Sequence, residues 1–385
     1  MRISLKVTAP LDDFFLSPYT FLNRFSKPVQ TMMTIAEIAR LAGVSKATVS
    51  NVLNGRTNQV SPETRARIER IIKEYGYVPK RAARSLKSNR TRTIALLFPH
   101  LPANLIANTF FFPGFLSGVA RACEESSYQL LITTSAKSCD TEFHYESLVQ
   151  SRSVDGFIVS EIFFDDPRFP VLRKFGVPFV SIGKPEGEDV SWISWVDHNQ
   201  EELAYRATQK LIDLGHQDIL FLGLSRRRVY TMQRLWGYEK ALREAGIPVR
   251  EELLVTEEMK KEEVAEKLES LWGKGVRFSA IFVVAESLAL SALKALQDMG
   301  LRIPEDVAIL GNIETDNFRF YTPQLSGIRV RTEDLGYETA RLLVDLIEGK
   351  VKTQVGQYLE ADFIEGSSLG PRREGVKKGE IGELP

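Results

Sequence analysis

The sequence predicts a small all-α head followed by a larger α/β body of two lobes. Three observations predict this fold class. Residues 33–80 contain three short helical patterns separated by turn signals, residues 93–368 alternate apolar runs with helical patterns, and a short basic segment, 81–92, lies between them. Alternating strands and helices favour parallel sheets covered by helices. At 385 residues the chain is long enough for two or three domains of ordinary size.

Charge is distributed unevenly along the chain, although the formal net charge is zero. Residues 33–92 contain 13 basic and 4 acidic residues, whereas residues 93–385 contain 33 basic and 44 acidic residues. A basic head on an acidic body is typical of a protein that places one end on a polyanion such as nucleic acid. A solvated charged face is the alternative interpretation.

Composition narrows the class of protein. Hydrophobic residues make up 43% and charged residues 26%, as in soluble globular proteins. No run of eighteen apolar residues is present, so we expect no membrane span. The two cysteines, Cys123 and Cys139, favour a reducing compartment, and we expect a cytoplasmic protein. The four histidines are scattered, and we therefore expect no metal site and no cofactor.

The two ends of the chain differ from the rest. Residues 1–32 contain four phenylalanines among polar residues but no uninterrupted apolar stretch of the kind a secretion signal needs. We expect a disordered extension, or a start assigned upstream of the true initiator at Met32 or Met33. Residues 369–385 are rich in Gly, Lys and Glu, and we expect a flexible tail.

Three helices are predicted in the head from their caps. Thr34 and Glu37 form a capping box at the first, and Gly43 suits the left-handed turn that ends it. Ser45 can cap the second helix, and Ser61, followed by Pro62, begins the third. The side chains expected to face inward are Ile35, Ile38, Ala39, Leu41, Val49, Val52, Leu53, Ile68, Ile71, Ile72 and Tyr75.

Two short helices joined by a glycine-containing turn and followed by a third predict a helix-turn-helix unit, whose second helix enters the major groove by its N-terminal end. On the outer side of that helix lie Lys46, Ala47, Thr48, Ser50, Asn51 and Asn54. Thr48 and Ser50 can bond phosphate oxygens, Asn51 can bond base edges, and Lys46 can reach guanine or phosphate. A generic three-helix bundle with a polar face is the alternative.

The basic segment 81–92 is predicted to be a hinge. Leu86 is its one large apolar residue, so the free segment cannot bury enough surface to offset its ordering entropy. Such a segment can fold on DNA, with an apolar side chain inserted between base steps in the minor groove. A flexible basic linker, with Leu86 packed on the body, is the alternative.

In the body, strands are predicted at 93–98, 129–133, 156–160, 178–182, 218–223, 279–284 and 306–311. Helices are predicted near 112–126, 140–152, 199–214, 230–245, 260–274 and 286–299. Ligands in such folds bind beyond the carboxyl ends of the strands. The residues expected there are Pro99, His100, Ser135, Glu161, Ser225, Ala285 and Ile313.

The motifs that would indicate an enzyme are missing from the sequence. No G-x-G-x-x-G follows a predicted strand, and no G-x-x-x-x-G-K-[ST] occurs. The run Gly366-Ser367-Ser368-Leu369-Gly370 matches G-x-S-x-G, but no helix is predicted after it and no histidine follows it. No pair of carboxylates and no His/Cys set has a catalytic spacing. We therefore expect a protein that is not an enzyme.

Runs in the head, the hinge and the body share a recognisable pattern. Those in the head and hinge are Thr34-Ile35-Ala36-Glu37-Ile38-Ala39, Ala42-Gly43-Val44-Ser45, Thr48-Val49-Ser50, Val52-Leu53-Asn54, Ser61-Pro62-Glu63-Thr64-Arg65, Tyr77-Val78-Pro79 and Ala83-Arg84-Ser85-Leu86. Those in the body are Asp155-Gly156, Leu214-Gly215-His216, Arg234-Leu235-Trp236-Gly237-Tyr238, Pro304-Glu305-Asp306-Val307-Ala308 and Phe363-Ile364-Glu365-Gly366-Ser367-Ser368. Together they resemble the lactose-repressor/purine-repressor family of transcription regulators (the LacI/GalR family), and the resemblance covers about 33–368, nearly the whole chain.

The resemblance implies a homodimer on a pseudo-palindromic double-stranded operator. Carried over by position, Lys46, Ala47 and Asn51 set sequence preference, whereas Thr48, Ser50 and Asn54 mainly position the backbone. In the hinge, the resemblance implies DNA contacts by Ala83, Leu86 and Lys87, with Leu86 as the minor-groove wedge. The tail has no leucine heptads, which favours a dimer over a tetramer.

The body resembles type I periplasmic sugar-binding proteins, which have two lobes joined by three crossovers and an effector in the cleft between them. The resemblance implies effector contacts by Phe111, Phe112, Asp197, Arg228, Arg234, Glu286 and Ile313. Here Ala285-Glu286 stands where many members have Asn-Asp, and Gly311-Asn312-Ile313 where many have Gly-Tyr-Asp. Two groups that bond sugar hydroxyls are thus missing, which favours a less hydroxylated or anionic effector paired with Arg228 and Arg234.

A neutral sugar, a less hydroxylated or anionic ligand such as a sugar acid or a sugar phosphate, a protein partner and no effector at all remain open for the cleft. Binding there is expected to change the lobe arrangement and the order of the hinge. The resemblance implies a repressor controlled by an effector. Two alternatives remain: an activator with the same head, and a solute-binding protein of a transport system that shares only the body.

Overall fold

The computed structural model describes residues 33–53, 55–56, 58, 60–77, 90–98, 110–134, 141–151 and 153–373. Contacts divide the chain into two compact units, Met1–Asn89 and Arg90–Pro385. The predictions for residues 1–32, for the end of the tail and for Asn54, Ala83, Leu86 and Lys87 fall outside the described residues. The same holds for Pro99, His100, Ser135 and Cys139.

The head contains the three predicted helices, α1 (Ile35–Ala42), α2 (Lys46–Leu53) and α3 (Pro62–Glu74). The capping box is present: Glu37 N donates to Thr34 Oγ1 over 3.3 Å, and Thr34 N donates to Glu37 Oε2 over 2.7 Å. Gly43 ends α1 with φ 63°, in the left-handed region that favours glycine. Ser45 caps α2 by accepting a bond from Thr48 N over 3.0 Å. These local signals therefore form the predicted caps.

The core of the head consists of Ile38, Ala39, Ala42, Val49, Ile68 and Tyr77. The prediction that Leu41 and Tyr75 face inward is wrong, because their side chains are 40% and 49% exposed. Adjacent helical residues point about 100° apart, so burial of Ala42 turns Leu41 away from the core. Tyr75 lies just after the last residue of α3, and Tyr77 takes the buried position instead.

The first lobe of the body is a parallel six-stranded sheet. In spatial order its strands are β11 (Gly356–Leu359), β5 (Ser194–His198), β4 (Phe179–Ile182), β3 (Gly156–Val159), β1 (Thr93–Phe98) and β2 (Gln129–Thr134). Its helices are α4 (Phe111–Ser126), α5 (Thr141–Gln150), α6 (Arg168–Phe175) and α11 (Thr332–Glu348). Apolar side chains on both faces of the sheet are buried under these helices.

The second lobe has a sheet of the same size. In spatial order its strands are β12 (Asp362–Ile364), β10 (Ser326–Arg329), β9 (Ala308–Ile313), β8 (Ala280–Val283), β6 (Ile219–Leu222) and β7 (Leu254–Val255). All neighbours are parallel except β10 and β12. Its helices are α7 (Gln200–Asp213), α8 (Val229–Glu244), α9 (Val264–Gly273) and α10 (Glu286–Asp298). Short 3-10 turns at Glu251–Leu253, Lys261–Glu263 and Asp316–Phe320 complete it.

The chain passes between the lobes three times: from β5 to α7, from β10 to α11, and from β11 to β12. The two-lobed α/β architecture with three crossovers is therefore confirmed. All seven predicted strands and all six predicted helices of the body are present, with shifts of a few residues at their ends.

Seven elements of the body were not predicted: β5, β7, β10, β11, β12, α6 and α11. Four of these strands have two to four residues, and β11 and β12 have alternating or partial exposure at sheet edges, so their apolar signal is weak. Helix α11 is different, because its sequence has a clear helical apolar period through Leu335, Leu342 and Leu343 and ends at Gly349. The helical period of these apolar residues and the glycine after them were the signals in the sequence that indicate this helix. Among the described residues, none of the helices is long and apolar enough to span a bilayer.

Candidate functional site

The predicted DNA-contacting face of the head lies on α2. Lys46 and Ala47 are exposed at the N-terminal end of the helix, and Thr48, Ser50 and Asn51 are half-buried at its flank. Val49 is fully buried and fixes which face of α2 points outward. The first turn reads Lys-Ala-Thr, so its partial positive charge is not offset by an acidic side chain. This surface suits an approaching phosphate backbone.

A cavity of about 170 Å³ lies between the two lobes of the body, beyond the carboxyl ends of strands from both sheets. Phe111, Phe112, Asp197, Arg228 and Arg234 line it, as the resemblance predicted. Of the residues predicted to follow strands, Glu161 and Ala285 also line it. The structure thus brings together five of the seven predicted effector contacts.

The other two predicted contacts, Glu286 and Ile313, lie outside the cavity lining. Glu286 is the first residue of α10, and its carboxylate accepts bonds from the backbone N–H groups of Glu314 and Thr315 at 2.6 and 2.8 Å. It also accepts from the Tyr321 hydroxyl over 3.2 Å. Ile313 is fully buried in the apolar core of the second lobe, because β9 continues through this residue. Both side chains therefore support the loop after β9 rather than the cavity.

Asp197 lies near the end of β5, where the chain crosses to the second lobe. It is buried, and its carboxylate accepts bonds from Lys184 N at 2.9 Å, His198 N at 2.7 Å and Gln200 Nε2 at 2.7 Å. Burial raises the pKa of Asp197 to about 6 despite these bonds. Asp197 therefore holds the crossover together at the wall of the cavity.

Arg228 is an interlobe ion-pair centre. It lies at the N-cap position of α8 in the second lobe, and its guanidinium donates to Glu161, which follows β3 of the first lobe. The same guanidinium also donates to Glu258 of the second lobe over 2.8 Å. Backbone bonds run alongside, from Phe164 N to Arg227 O at 3.2 Å and from Val229 N to Ile162 O at 3.2 Å. Two carboxylates already balance the charge of Arg228.

Arg234, one turn and a half further along α8, is also engaged. Its Nε donates to Gln200 Oε1 over 2.8 Å, and its Nη1 donates to the Val284 carbonyl. The guanidinium carbon lies 5.5 Å from the ring centre of Tyr230. Burial lowers the pKa of Arg234, while Tyr230, Glu314 and Asp197 oppose that effect. Neither cavity arginine is an isolated cation.

His198 is a cavity residue that the sequence did not indicate. Its ring Nδ1 lies 3.0 Å from the Leu359 carbonyl, so Nδ1 carries the proton and donates. Burial lowers the pKa of His198, which keeps the ring neutral. Nε2 is then an acceptor, and among the described residues it has no hydrogen-bond partner although it is buried. The position of His198 directly after Asp197 at a lobe crossover was the available signal.

Glu314 is the second cavity residue that the sequence analysis missed. The predicted strand 306–311 ends too early and leaves Ile313 beyond it, whereas β9 runs through Ile313, so that Glu314 is the residue that lines the cavity. Burial, together with the charge of Glu286, raises the pKa of Glu314 to about 7. Its Oε2 is shielded from solvent and has no partner within the described part of the chain.

Within the described part of the chain, the cavity therefore presents two buried polar atoms without a partner, His198 Nε2 and Glu314 Oε2. The first accepts a hydrogen bond, and the second accepts when Glu314 is ionised and donates when it is protonated. Arg228 and Arg234 are already bonded to protein groups. Within the described ranges, no group of three or more His, Cys, Asp or Glu side chains is arranged to hold a metal ion. Such a site suits a ligand that donates hydrogen bonds and stacks on Phe111 or Phe112.

Family models match both units. A model described as bacterial regulatory proteins, lacI family, matches residues 34–80. A model described as periplasmic binding protein-like domain matches residues 208–369.

Curated relatives match the chain over most of its length. The regulator CelR of Thermobifida fusca is 35% identical over 331 residues, which cover 86% of this chain and 96% of that protein. The repressor PurR of Erwinia tasmaniensis is 32% identical over 348 residues, which cover 89% and 99%.

Solved structures are also similar to this chain over most of its length. A CelR–cellobiose complex is 33% identical with a TM-score of 0.67, and the match covers 87% of this chain and 99% of that one. A lac repressor dimer bound to operator and an anti-inducer is 22% identical with a TM-score of 0.76, covering 87% and 98%, and shows likeness of fold.

Proposed function

The chain belongs to the lacI family of bacterial regulatory proteins and is an effector-controlled, DNA-binding regulator of transcription, and from that premise we propose that it is a homodimeric repressor whose effector is a neutral, hydroxyl-bearing sugar. The head binds a pseudo-palindromic operator, and the sugar occupies the cavity between the lobes. As a regulator that binds DNA, the protein acts in the cytoplasm.

The DNA contacts proposed for the head begin with α2. Lys46 and Ala47 are exposed at the helix end that enters a groove, and Asn51 lies one turn further along. Thr48 and Ser50 flank them and suit phosphate oxygens. The proposal also includes the predicted contacts outside the described residues, namely Asn54, Ala83, Leu86 and Lys87.

The class of effector follows from the hydrogen bonds that the cavity leaves open. His198 Nε2 accepts, and the Glu314 carboxyl group, with its pKa raised to about 7, accepts when ionised and donates when protonated. A hydroxyl suits both groups, because it can donate and accept. A buried acceptor left without a donor costs about 1–3 kcal/mol, so a ligand without hydroxyls is disfavoured. The sequence-based preference for an anion rested on Arg228 and Arg234, but two carboxylates already pair with Arg228, and Arg234 donates to the Gln200 side chain and to the Val284 carbonyl. The sugar in the CelR–cellobiose complex supports the same class.

One experiment tests both halves of the proposal. The full chain is used to select binding sites from a pool of random-sequence duplexes, and its affinity for the selected duplex is then measured with added cellobiose, glucose, glucuronate or glucose 6-phosphate. We expect a pseudo-palindromic site and release or tightening of the duplex by a neutral sugar only. Glucuronate or glucose 6-phosphate acting at lower concentration than both sugars would contradict the effector class, and no selected sequence would contradict the DNA function.

A further inference from the structure

Helices α4 and α11 both begin at the effector cavity. Phe111 and Phe112, the first residues of α4, line the cavity. Val330, just before α11, and Leu335 in its first turn line it as well. The two helices then run side by side in the same direction through the first lobe, since Gly114 meets Thr332 and the following residues meet in increasing order.

Glycines bring the backbones of the two helices into direct contact. A Cβ atom on Gly118 would lie 1.9 Å from the Glu333 carbonyl oxygen, and one on Gly336 would lie 2.0 Å from the Phe115 carbonyl oxygen. Neither position can accept a side chain unless the backbones separate. The two helices are therefore closer together than any residue other than glycine would allow at these two positions.

Polar contacts at the surface fix the axial register of the pair. Arg121 of α4 pairs with Glu333 of α11 over 2.7 Å and lies 4.5 Å from the ring centre of Tyr337. The Tyr337 hydroxyl in turn donates to Glu125 over 2.7 Å. Sliding one helix along the other would break these contacts as well as the glycine packing, so the pair moves as one body.

The far ends of both helices hold the segment by which the chain enters the body. Arg90 Nη2 donates to the Ile347 carbonyl near the end of α11 over 2.8 Å, and Arg92 Nη1 donates to the Ser126 carbonyl at the end of α4 over 3.3 Å. Cations are favoured at these positions because helix C-terminal ends carry partial negative charge. The predicted hinge thus ends on both helices at once.

Asp155, directly before β3, completes this anchor. Its carboxylate accepts bonds from Thr91 N at 2.7 Å, Thr91 Oγ1 at 2.9 Å and Arg92 N at 2.7 Å. Arg92 has φ 53°, a left-handed conformation that a non-glycine residue adopts only where its surroundings hold it. Asp155 stabilises this conformation by accepting a hydrogen bond from the backbone N–H of Arg92.

We propose that the α4–α11 pair carries the state of the effector cavity to the end of the hinge, and that Asp155 is the residue that positions this end. The proposal rests on the proposed function and adds its route of regulation. A ligand that shifts Phe112 or Leu335 moves the start of the pair. Because the pair is locked by its glycines, its far ends move too, and Arg90 and Arg92 move with them.

Hydrogen exchange of the full chain tests the route without requiring the effector or the operator. Leu335→Ala removes packing at the cavity end of α11, and we expect about tenfold faster exchange of the amides of residues 91–93. Leu172→Ala is the matched control, since Leu172 is buried in the same lobe but on α6, against the other face of the sheet. We expect no acceleration at residues 91–93 in this variant. The amides of β4 serve as an internal reference.

Equal acceleration at residues 91–93 in both leucine variants, or equal acceleration in β4, would show general loosening of the lobe and overturn the proposal. Unchanged exchange at residues 91–93 in Leu335→Ala would overturn it too. As a second variant, Asp155→Asn should accelerate exchange at residues 91–92 and weaken binding to the selected duplex about tenfold, whereas Leu172→Ala should not weaken it. A wild-type protein that selects no duplex would contradict only the proposed function, because the exchange comparison is independent of DNA.

Discussion

His198 and Glu314 show how single side chains set the chemistry of the cavity. Each presents a buried polar atom, and neither atom has a hydrogen-bond partner in the described part of the chain. Leaving such atoms unpaired lowers stability, so their presence in a cavity favours a ligand that forms hydrogen bonds with them. The same two residues explain why the paired arginines of the cavity do not by themselves define an anion site.

Glu314 gives a prediction at the scale of one residue. Its pKa is raised to about 7 by burial and by Glu286, so the folded protein holds this proton more tightly than the unfolded chain. The resulting stabilisation is complete below the ordinary pKa of 4.5 and is lost as pH rises through about 7. The unfolding temperature of the body should fall between about pH 5 and about pH 8 in the wild type. In Glu314→Gln we expect this fall to be smaller by about 2 °C or more.

The control for this prediction is Glu269→Gln, at an exposed position on α9 of the same lobe. Its unfolding midpoint should follow that of the wild type across the pH range. Differential scanning calorimetry measures the unfolding midpoints of the wild type, Glu314→Gln and Glu269→Gln as full chains. Parallel pH curves for the wild type and Glu314→Gln would be evidence against a raised pKa at this residue.

Helix α2 is the element to which we assign the recognition of DNA. Its caps and its one fully buried residue, Val49, fix the face that points outward. An eight-residue helix makes few contacts of its own, and α1 and α3 supply the surface against which it is held. Changes on its outer face should therefore alter binding without unfolding the head.

Two variants on α2 separate base recognition from phosphate contact. Asn51→Ala should reduce the preference for the selected duplex over random DNA about ten- to hundredfold, because an amide can bond a base edge. Lys46→Ala should weaken binding to all sequences and reduce the slope of affinity against salt by about one. Lys73→Ala, at an exposed position near the end of α3, is the matched control, because it also removes one positive charge from the head. Fluorescence anisotropy over a salt series measures the effects. If Lys46→Ala changed binding no more than Lys73→Ala, this assignment of α2 would be wrong.

At the scale of the whole molecule, the contacts of Arg228 join two lobes that have separate sheets and separate cores. Glu161 reaches it from the first lobe, in a left-handed conformation with φ 51° that costs about 1 kcal/mol or more. Asp166 and Arg168, a buried ion pair, support this turn, because Arg168 also donates to the Glu161 carbonyl over 3.0 Å. The strained turn is thus built to present one carboxylate across the cleft.

Loss of that carboxylate should favour separation of the lobes. We expect Glu161→Gln to increase the radius of gyration of the free protein in small-angle X-ray scattering, because Arg228 would retain only Glu258 of its own lobe. Glu251→Gln is the control, since it removes the partner of the neighbouring Arg226 within one lobe. An unchanged radius for Glu161→Gln, or an equal increase for both variants, would show that the Arg228–Glu161 pair does not hold the lobes together.

The sequence by itself determined the features that depend on local order along the chain. The capping box at Thr34, the turn at Gly43 and the helix-turn-helix head follow from residues a few positions apart. The alternation of strands and helices in the body likewise predicted parallel sheets, and Asp197, Arg228 and Arg234, which the resemblance assigns to the effector, line one cavity. Local signals of this kind survive folding because neighbouring residues stay neighbours.

Only the tertiary structure decided what those cavity residues are free to do. The sequence shows Arg228 and Arg234 as two cations, but their partners Glu161, Glu258 and Gln200 lie 30 to 67 positions away along the chain, and only folding brings them together. The one-residue extension of β9 that buries Ile313 and exposes Glu314 to the cavity is likewise set by strand pairing. Charge compensation and burial depend on distances through space, which spacing along the chain does not contain.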